Sequence, residues 1–428
     1  MTLQSLSIFA IIALATISNY SQTTSKKFDF GVGKVADGFT QVSQTDSYSK
    51  ENGYGFEEGA AVTCIDRNDK NLLQSGFCTS DKPFYFSVAV PEGNYKVTIT
   101  FGDKREDTAT TVKAELRRLM IEKVETKKGK FTTQSFIVNL RNPNFPGGEV
   151  KLKDREKTME WWAWDDKLTL EFNNSHPNVN AIVIEKVDVP TIYLLGDSTV
   201  CDQPGEPYAS WGQMLTRFFK PEIAISNHAE SGESLRSSFG AKRLDKVLSL
   251  LKKDDYVFIQ FAHNDEKEKG EGVGAFTTYK ASLKQYVTAI RNKGGNPVLI
   301  TPMHRRTFDK DGKITNSHGD YPEAVRQVAK EENLPLIDLT EMSKSFYEAL
   351  GKDKSLVAFK DGDGTHHSNY GAYQLAKMIV EGIQTNKLEI TKYLMKNLPN
   401  FDPRKPDSFD KFMIPPSPAA NAVKPLGS

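Results

Sequence analysis

Short apolar runs at strand length recur in the first half of the chain, and they predict an all-β domain. Residues 84–90, 95–101 and 168–172 alternate or run apolar over the length of a strand. Turn-forming segments such as residues 91–94 separate these runs. Many short strands joined by turns favour a β-sandwich, which we place at residues 28–189.

The pattern changes after Pro190, where apolar strands alternate with segments of helical spacing. The strands lie at residues 191–195, 223–226, 256–261, 297–301 and 336–338, and the helices at 210–219, 241–252, 276–293, 322–331 and 370–383. Such alternation predicts an α/β domain with a parallel sheet covered by helices on both faces, a three-layer arrangement that we assign to residues 190–388. In sheets of this kind ligands bind beyond the carboxyl ends of the strands.

The two ends of the chain differ from its middle in composition. The apolar run at residues 7–17 is short for a bilayer span but suits a signal peptide, which we place at residues 1–25. No Lys or Arg precedes this run, and a frayed or membrane-anchoring N-terminus is the alternative. We expect a secreted or periplasmic protein with no membrane span in its mature form. Residues 389–428 are rich in proline and indicate an extended strap or a loose tail.

The overall composition is that of a globular protein without an excess of charge. The chain has 428 residues, enough for two domains, with 56 Lys and Arg against 55 Asp and Glu. Nucleic acid is therefore not an expected partner, and recognition must come from a local site. Cys64 and Cys78 are candidates for a disulfide that spacing alone leaves open, whereas Cys201 is interpreted as a packed free thiol.

Candidate chemistry begins where the first strand of the α/β domain ends, at Gly196-Asp197-Ser198. A serine at a strand-to-helix turn is exposed at the sheet edge, near helix N–H groups that can stabilise an anion. Gly232 follows the second strand and Asn264 the third, and both can donate a hydrogen bond to a substrate oxygen. Each signal is weak by itself, because serine caps helices and glycine and asparagine form turns.

The last piece is a carboxylate and an imidazole three residues apart, Asp363 and His366, just before the closing helix. A serine hydroxyl attacks only when a base removes its proton, and a carboxylate keeps that base in the right tautomer. The alternative is a metal cluster of Asp361, Asp363, His366 and His367, but the calcium-loop pattern and other metal motifs fail. The pieces together predict a serine hydrolase that needs no cofactor and no metal.

These segments resemble the SGNH (GDSL-like) hydrolase superfamily, whose catalytic domain is flavodoxin-like. Gly196-Asp-Ser198 is similar to its first sequence block, Gly232 to its second, His263-Asn264-Asp265 to its third and Asp363-x-x-His366 to its fifth. The resemblance implies that Ser198 is the nucleophile, His366 the base and Asp363 its orienting carboxylate. It also implies an oxyanion hole formed by the N–H groups of Ser198 and Gly232 and the side chain of Asn264. Ala262 stands where the family usually has glycine, and we expect a tighter loop that leaves the donor in place.

Within the superfamily the chain is most similar to rhamnogalacturonan acetylesterases, in residues 196–200, 231–237, 301–306 and 363–368. This similarity implies removal of acetyl groups from a pectic polysaccharide or oligosaccharide. Because such a substrate is anionic, the candidate substrate-binding residues are Arg236, Arg305 and Arg306, with capping or surface pairing as the alternative. The other hypotheses are an SGNH esterase acting on acetyl-xylan or lipid esters, and a polysaccharide-binding protein without catalysis.

The N-terminal domain resembles galactose-binding-like or malectin-like domains, from Phe28-Asp-Phe-Gly31 and the strand pattern. Trp161, Trp162 and Trp164 would stack on sugar rings if exposed, but aromatic clusters in a sandwich more often belong to the core. We expect a structural role for this domain.

Overall fold

The computed structural model describes residues 25–59 and 61–418. The predicted signal peptide lies outside the described residues apart from residue 25, and so do residues 419–428 of the predicted tail. Within the described ranges, no helix is long and apolar enough to cross a membrane.

The first part of the chain forms two five-stranded sheets and two smaller β structures. In chain order its strands are Lys26–Phe30 (β1), Thr40–Val42 (β2), Tyr54–Phe56 (β3), Thr63–Asp66 (β4), Gly76–Thr79 (β5), Phe84–Ala89 (β6), Gly93–Asp103 (β7), Thr108–Ala114 (β8), Arg118–Thr126 (β9), Lys130–Leu140 (β10), Asn144–Phe145 (β11), Gly148–Glu149 (β12), Lys167–His176 (β13), Asn178–Val179 (β14) and Ala181–Val187 (β15). Two short helices, Leu72–Ser75 (α1) and Asp154–Thr158 (α2), lie between them. The large sheets have the orders β10-β7-β15-β1-β2 and β3-β6-β13-β8-β9, and the smaller structures are β14-β5-β4 and the hairpin β11-β12.

One apolar core is shared by the two large sheets, as the strand pattern predicts for a sandwich. Side chains alternate along a strand, so every second residue of a half-buried strand faces inward. Phe30 of β1 meets Phe86 of β6 edge to face with ring centroids 4.9 Å apart, and both rings are fully buried. A disulfide joins Cys64 of β4 to Cys78 of β5, which is the pairing that spacing left open.

The second part of the chain contains a five-stranded sheet whose described strands are all parallel. Its strands are Thr191–Gly196 (β16), Ala224–Asn227 (β17), Tyr256–Gln260 (β18), Asn296–Ile300 (β19) and Leu336–Ile337 (β20), in the order β17-β16-β18-β19-β20. Its helices are Trp211–Leu215 (α3), Leu235–Gly240 (α4), Arg243–Leu250 (α5), Lys280–Asn292 (α6), Tyr321–Glu331 (α7), Leu339–Lys354 (α8) and Asn369–Thr385 (α9). The parallel sheet predicted from the sequence is confirmed.

The topology directs attention to the carboxyl end of β16. The chain leaves β16 for β17 on one side and then crosses to β18 on the other, so the strand order reverses at β16. Leu194 packs in an apolar cluster with residues of α3, α8 and α9, whereas its neighbour Leu195 packs in a separate cluster with residues of α4 to α7. In open parallel sheets the crevice at such a reversal is the usual ligand site. Ser198 follows β16 directly.

The C-terminal segment bridges both parts of the molecule. Tyr370 of α9 donates to the carbonyl of Asp407 at 2.6 Å, which fixes the segment against the α/β domain. Farther along, Lys113 of β8 donates to the carbonyl of Pro415 at 2.8 Å and to Ser417 Oγ at 2.7 Å. The described part of the tail is therefore an ordered strap between the domains.

Candidate active site

Ser198, His366 and Asp363 form one chain of hydrogen bonds. His366 Nε2 lies 2.9 Å from Ser198 Oγ, and His366 Nδ1 lies 2.9 Å from Asp363 Oδ2. The serine and the histidine are 168 positions apart in the sequence. All three residues are buried, so the expectation that Ser198 is exposed at the sheet edge is wrong. The structure thus brings together the nucleophile, base and carboxylate named from the sequence.

Hydrogen bonds keep the Asp363 carboxylate ionised. Burial by itself raises its pKa, but the hydrogen bond from the His366 ring and the backbone N–H groups of Thr365 and His366 outweigh burial, so the pKa falls below its usual value. Oδ1 accepts the two N–H groups at 2.8 and 3.0 Å, which leaves Oδ2 for the imidazole. The carboxylate therefore fixes Nδ1 as a donor and leaves Nε2 to accept the serine proton.

The turn that presents Ser198 is held tightly. A Cβ on Gly196, at the end of β16, would come within 2.6 Å of the Val200 side chain, so glycine is required for this close approach. Gln203 Nε2 donates to the Ser198 carbonyl at 2.6 Å. These contacts hold the serine backbone while its hydroxyl faces His366.

All three predicted oxyanion donors have a hydrogen left to donate. Across residues 25–59 and 61–418, the backbone N–H groups of Ser198 and Gly232 have no acceptor within the protein. Asn264 Nδ2 donates one hydrogen to the Glu233 carbonyl at 3.0 Å, which orients the amide and leaves its second hydrogen unused. Gly232 has φ +77°, a left-handed conformation that favours glycine at this position.

Ala262, the departure from the family pattern, carries a backbone strain. Its φ is +136°, in a region that L side chains rarely adopt, and the residue is fully buried. It lies two residues before Asn264. The methyl group is thus tolerated in a conformation that suits glycine.

The three candidate arginines have different surroundings. Arg236 is exposed on α4, and its side chain has no ion pair or hydrogen bond with any residue that the structure describes. Arg305 pairs with Glu266 at 2.5 Å, and Arg306 donates to Ser355 Oγ at 3.0 Å. Arg236 is therefore the member of this set whose guanidinium is available to a ligand.

Other reactive side chains near the site are engaged within the protein. Cys201 is buried and free, as expected, and burial raises the pKa of its thiol well above the usual value, which disfavours the nucleophilic thiolate. His367 Nε2 bonds to the Tyr347 hydroxyl at 2.7 Å, and burial lowers its pKa to about 3. Because His366 is bonded to Ser198 and Asp363, the imidazoles of the alternative metal cluster already have other partners.

A cluster of three glutamates has the spacing of a metal site, but arginine side chains already pair with it. Oxygens of Glu156, Glu160 and Glu230 lie within 4.8 Å of one another. Arg243 Nη2 lies 2.6 Å from Glu156, and Arg155 Nε lies 2.5 Å from Glu160. These guanidinium groups supply the positive charge that a metal would otherwise provide, so the group forms a buried ion-pair network.

The N-terminal domain reaches the neighbourhood of His366. Arg117, in the turn between β8 and β9, pairs with Glu206 at 2.5 Å and donates to the Tyr208 carbonyl at 2.8 Å. The Tyr208 ring stands edge to face against the His366 ring with centroids 5.9 Å apart. Sequence reasoning missed these residues, because nothing in the sequence shows which turn of a sandwich faces the other domain.

The tryptophans of the N-terminal domain are not all core residues. Trp164 is buried, with the Arg141 guanidinium 4.6 Å from its ring, whereas Trp161 is 43% exposed. The Lys167 ammonium lies 4.8 Å from the Trp161 ring. One indole of the cluster is thus open to solvent.

A cavity of about 460 Å³ is lined in part by Arg236 of α4 and by the residue that follows Asn264. Its lining includes Arg236, Asp265, Glu268, Tyr279 and Tyr321. Asp265 directly follows the predicted donor Asn264 in the chain, but none of the five predicted catalytic and oxyanion residues lines the cavity. Its mixed charged, hydroxyl and aromatic lining is suited to a polar ligand.

Two families match this chain. Residues 194–374 match the GDSL-like lipase/acylhydrolase family, and residues 26–138 match the galactose-binding-domain-like family of β-agarase/YXIM esterase-like proteins. The first match contains Ser198 and His366, and the second lies in the sandwich.

Some similar proteins match about half of this chain, and others match most of both domains. The chain is 36% identical to rhamnogalacturonan acetylesterase RhgT of Bacillus subtilis over 219 residues, which is 48% of this chain and 94% of that protein. It is 26% identical to the uncharacterized esterase YxiM of Bacillus subtilis over 370 residues, 84% of this chain and 90% of that protein. The crystal structure of YxiM is 24% identical in sequence and aligns with a TM-score of 0.46, covering 86% of this chain and 99% of that one. From the identity to RhgT over nearly its whole length and the family match around Ser198, the chain belongs to the SGNH (GDSL-like) hydrolase family and is a serine esterase similar to rhamnogalacturonan acetylesterases.

Proposed function

We propose that this esterase removes acetyl groups from a pectic polysaccharide of the rhamnogalacturonan type. The observation that carries the proposal is the hydrogen-bond chain from Ser198 through His366 to Asp363, together with the backbone N–H groups of Ser198 and Gly232, which have no acceptor among the described residues. The similarity to RhgT supports the carbohydrate and the acetyl group as the substrate class.

The first half of the reaction transfers the acetyl group to the enzyme. Ser198 Oγ attacks the ester carbonyl while His366 Nε2 accepts the hydroxyl proton, and Asp363 stabilises the resulting imidazolium. The carbonyl oxygen becomes an oxyanion, which the Ser198 and Gly232 N–H groups and the Asn264 amide are proposed to bind. When the carbon–oxygen bond to the sugar breaks, His366 returns the proton to the sugar oxygen.

The second half of the reaction restores the serine. Water attacks the acetyl carbonyl and gives a proton to His366, and the same donors stabilise the second oxyanion. The proton on His366 then passes to Ser198 Oγ as the acyl bond breaks. Acetate and a free sugar hydroxyl are the products.

The anionic backbone of the substrate is proposed to bind at Arg236 and the adjoining cavity. Arg236 is exposed and unpaired among the described residues, and it lines the cavity beside Asp265. A guanidinium binds a carboxylate by two parallel hydrogen bonds, which favours a uronate unit over a neutral sugar. Arg305 and Arg306, with their protein partners, support the loops around the site in this proposal.

Export is part of the same proposal. The apolar run at residues 7–17 and the disulfide between Cys64 and Cys78 support it, since disulfides persist in oxidising compartments. A polymeric substrate would also be met outside the cytoplasm. Fractionation of cells that express the full chain, with and without residues 1–25, tests this point, and retention of the full chain in the cytoplasm would contradict it.

The direct test of the catalytic proposal is Ser198→Ala. Acetate release from acetylated rhamnogalacturonan should fall by at least about 10⁴-fold, because members of such a triad act as a unit. Rates of the unaltered enzyme on acetyl-xylan and on a medium-chain lipid ester identify the substrate class. A higher kcat/KM on either of these than on acetylated rhamnogalacturonan would reject the pectic assignment and retain the esterase.

A further inference from the structure

Lys153 belongs to the N-terminal domain, but its ammonium contacts the loop that carries Gly232. Lys153 immediately precedes α2, and its Nζ donates to the Ser231 carbonyl at 2.5 Å. The same Nζ lies 3.1 Å from Glu233 Oε1. One ammonium therefore holds the backbone on one side of Gly232 and the carboxylate on the other.

Glu233 connects this contact to two of the proposed oxyanion donors. It follows Gly232 in the chain, and its carbonyl accepts the hydrogen bond that orients Asn264. Its carboxylate is fully enclosed, accepts a short hydrogen bond from Ser237 Oγ and lies 3.5 Å from Arg243 Nε. Displacement of Glu233 would thus move both the Gly232 N–H and the Asn264 amide.

The beginning of the same loop has a second contact with the N-terminal domain. Arg155, two residues after Lys153, pairs with Glu160 and lies 3.9 Å from Glu230. Burial, the proximity of Glu160 and the proximity of Glu156 raise the pKa of Glu230 well above its usual value. The segment around α2 therefore contacts the loop at Glu230, at Ser231 and at Glu233.

We infer that Lys153 is a positioning residue for the oxyanion hole, so that the N-terminal domain takes part in catalysis by fixing the Gly232 loop. The inference rests on the proposed function, since it assigns these donors to an ester oxyanion. Donors that are fixed in advance stabilise the charge that develops in the transition state. Loosening them should lower kcat while KM stays nearly constant, because the substrate ground state carries no such charge.

The test is Lys153→Met in the full chain, assayed with an aryl acetate. Removing a whole oxyanion donor costs roughly 100- to 1000-fold in kcat, so loosening the loop should cost less, about tenfold. The matched control is Lys157→Met in α2, where the side chain is 59% exposed and, among the described residues, pairs only with Asp154 at 3.9 Å. The control should keep the kcat of the unaltered enzyme.

Thermal unfolding and a second variant separate positioning from folding. Lys153 is 28% exposed on its side chain, so Lys153→Met is expected to stay folded at the assay temperature. Lys153→Arg keeps the charge but changes the reach, and we expect a melting temperature close to that of the unaltered enzyme with a kcat two- to threefold lower, on the order of a small geometric misplacement. If Lys153→Met is too unstable to assay, Lys153→Arg decides.

Three outcomes would overturn the inference. They are an unchanged kcat in a folded Lys153→Met, a loss that appears in KM alone, and an unchanged kcat in Lys153→Arg when the methionine variant does not fold. The Ser198→Ala variant keeps this result distinct from the proposed function. If Ser198→Ala remains active, the proposed function fails; if it is inactive while the Lys153 variants have full kcat, only the positioning role fails.

Discussion

Replacing Asp363 by asparagine changes the protonation of the imidazole while leaving the loop in place. The asparagine Oδ1 can keep both backbone hydrogen bonds, from Thr365 at 2.8 Å and from His366 at 3.0 Å, so the local fold is retained. The other atom becomes an NH₂ group that faces His366 Nδ1, where Asp363 Oδ2 now accepts a hydrogen bond at 2.9 Å. A donor there forces the proton of the neutral ring onto Nε2. Ser198 Oγ, 2.9 Å from Nε2, then has no base to accept its proton.

The expected loss in kcat for Asp363→Asn is about 10⁴-fold, which corresponds to about 5.4 kcal/mol of transition-state stabilisation. The assay is turnover of an aryl acetate at neutral pH, with thermal unfolding to verify that the variant is folded. Asp361→Asn is the matched control, since Asp361 is exposed in the same loop and should be silent. A folded Asp363→Asn enzyme that keeps more than about a tenth of the activity would refute the tautomer argument. Inactivation by Asp361→Asn would instead revive the metal-cluster alternative.

Three further predictions concern residues around the triad. Ala262→Gly should raise the free energy of unfolding by about 1 kcal/mol, because relief of the strain at φ +136° exceeds the extra entropy of glycine in the unfolded chain. A lower denaturation midpoint in urea would contradict this prediction. Burial and the nearby Asp197 raise the pKa of Asp265 to about 8. The folded state therefore keeps this proton at pH values where the unfolded chain, in which the pKa is about 3.9, has lost it. Stability should therefore fall as pH rises from about 4 to about 8, and Asp265→Asn should flatten this slope in urea denaturation, so an unchanged slope would show that Asp265 does not cause it. Arg236→Met should raise KM for acetylated rhamnogalacturonan about tenfold, as expected for loss of a charged hydrogen bond, with aryl acetate turnover unchanged; equal KM values would remove Arg236 from substrate binding.

Residues at strand ends could be identified from the sequence because topology brings them together. Carboxyl ends of parallel strands meet at one edge, so the order of the strands predicts that Ser198 after β16 and Asn264 after β18 are neighbours. The three-residue spacing of Asp363 and His366 likewise predicts that the carboxylate and the imidazole lie side by side. These inferences needed only the order of the elements.

Some structural features have a signal in the sequence but are missing from the predicted elements. Helix α8, Leu339–Lys354, was not predicted, although Leu339, Met342 and Phe346 have helical spacing and Asp338 caps its first turn. The helix predicted at residues 276–293 begins instead with a π-helical turn, Ala275–Tyr279, before α6. Element boundaries depend on such local hydrogen bonding, which hydrophobic spacing does not report.

The residues that no sequence pattern could reveal are charged residues at the contact between the domains. Arg117 and Lys153 have the sequence context of ordinary surface residues, and each acquires its role only when a sandwich loop docks on the α/β domain. Arg305 is a substrate-binding candidate in the sequence, but in the structure it pairs with Glu266 of a different loop. Ion pairing across the fold depends on tertiary placement, and spacing along the chain carries no information about it.

Ion pairs of both polarities cross the interface between the domains, for example Lys246 of α5 with Glu92, but those at loops near the active site share one polarity. Arg117 pairs with Glu206, Arg118 lies 3.5 Å from Asp202, and Lys153 pairs with Glu233, so in each case the N-terminal domain supplies the cation and a loop near the active site supplies the carboxylate. Buried pairs of this kind add little net stability, but they penalise any arrangement that leaves one charge alone. They therefore specify a single docking geometry.

That polarity also affects the reaction itself. Without the sandwich, Asp202 and Glu206 would lose these cationic partners, and Glu233 would keep only Arg243, close to the point where ester hydrolysis generates an oxyanion. Uncompensated negative charge in a buried site opposes the growth of further negative charge, and it does so more strongly than in water because the local dielectric constant is low. We therefore expect the N-terminal domain to support the catalytic step through electrostatics as well as through the position of the Gly232 loop, whether or not it binds sugar.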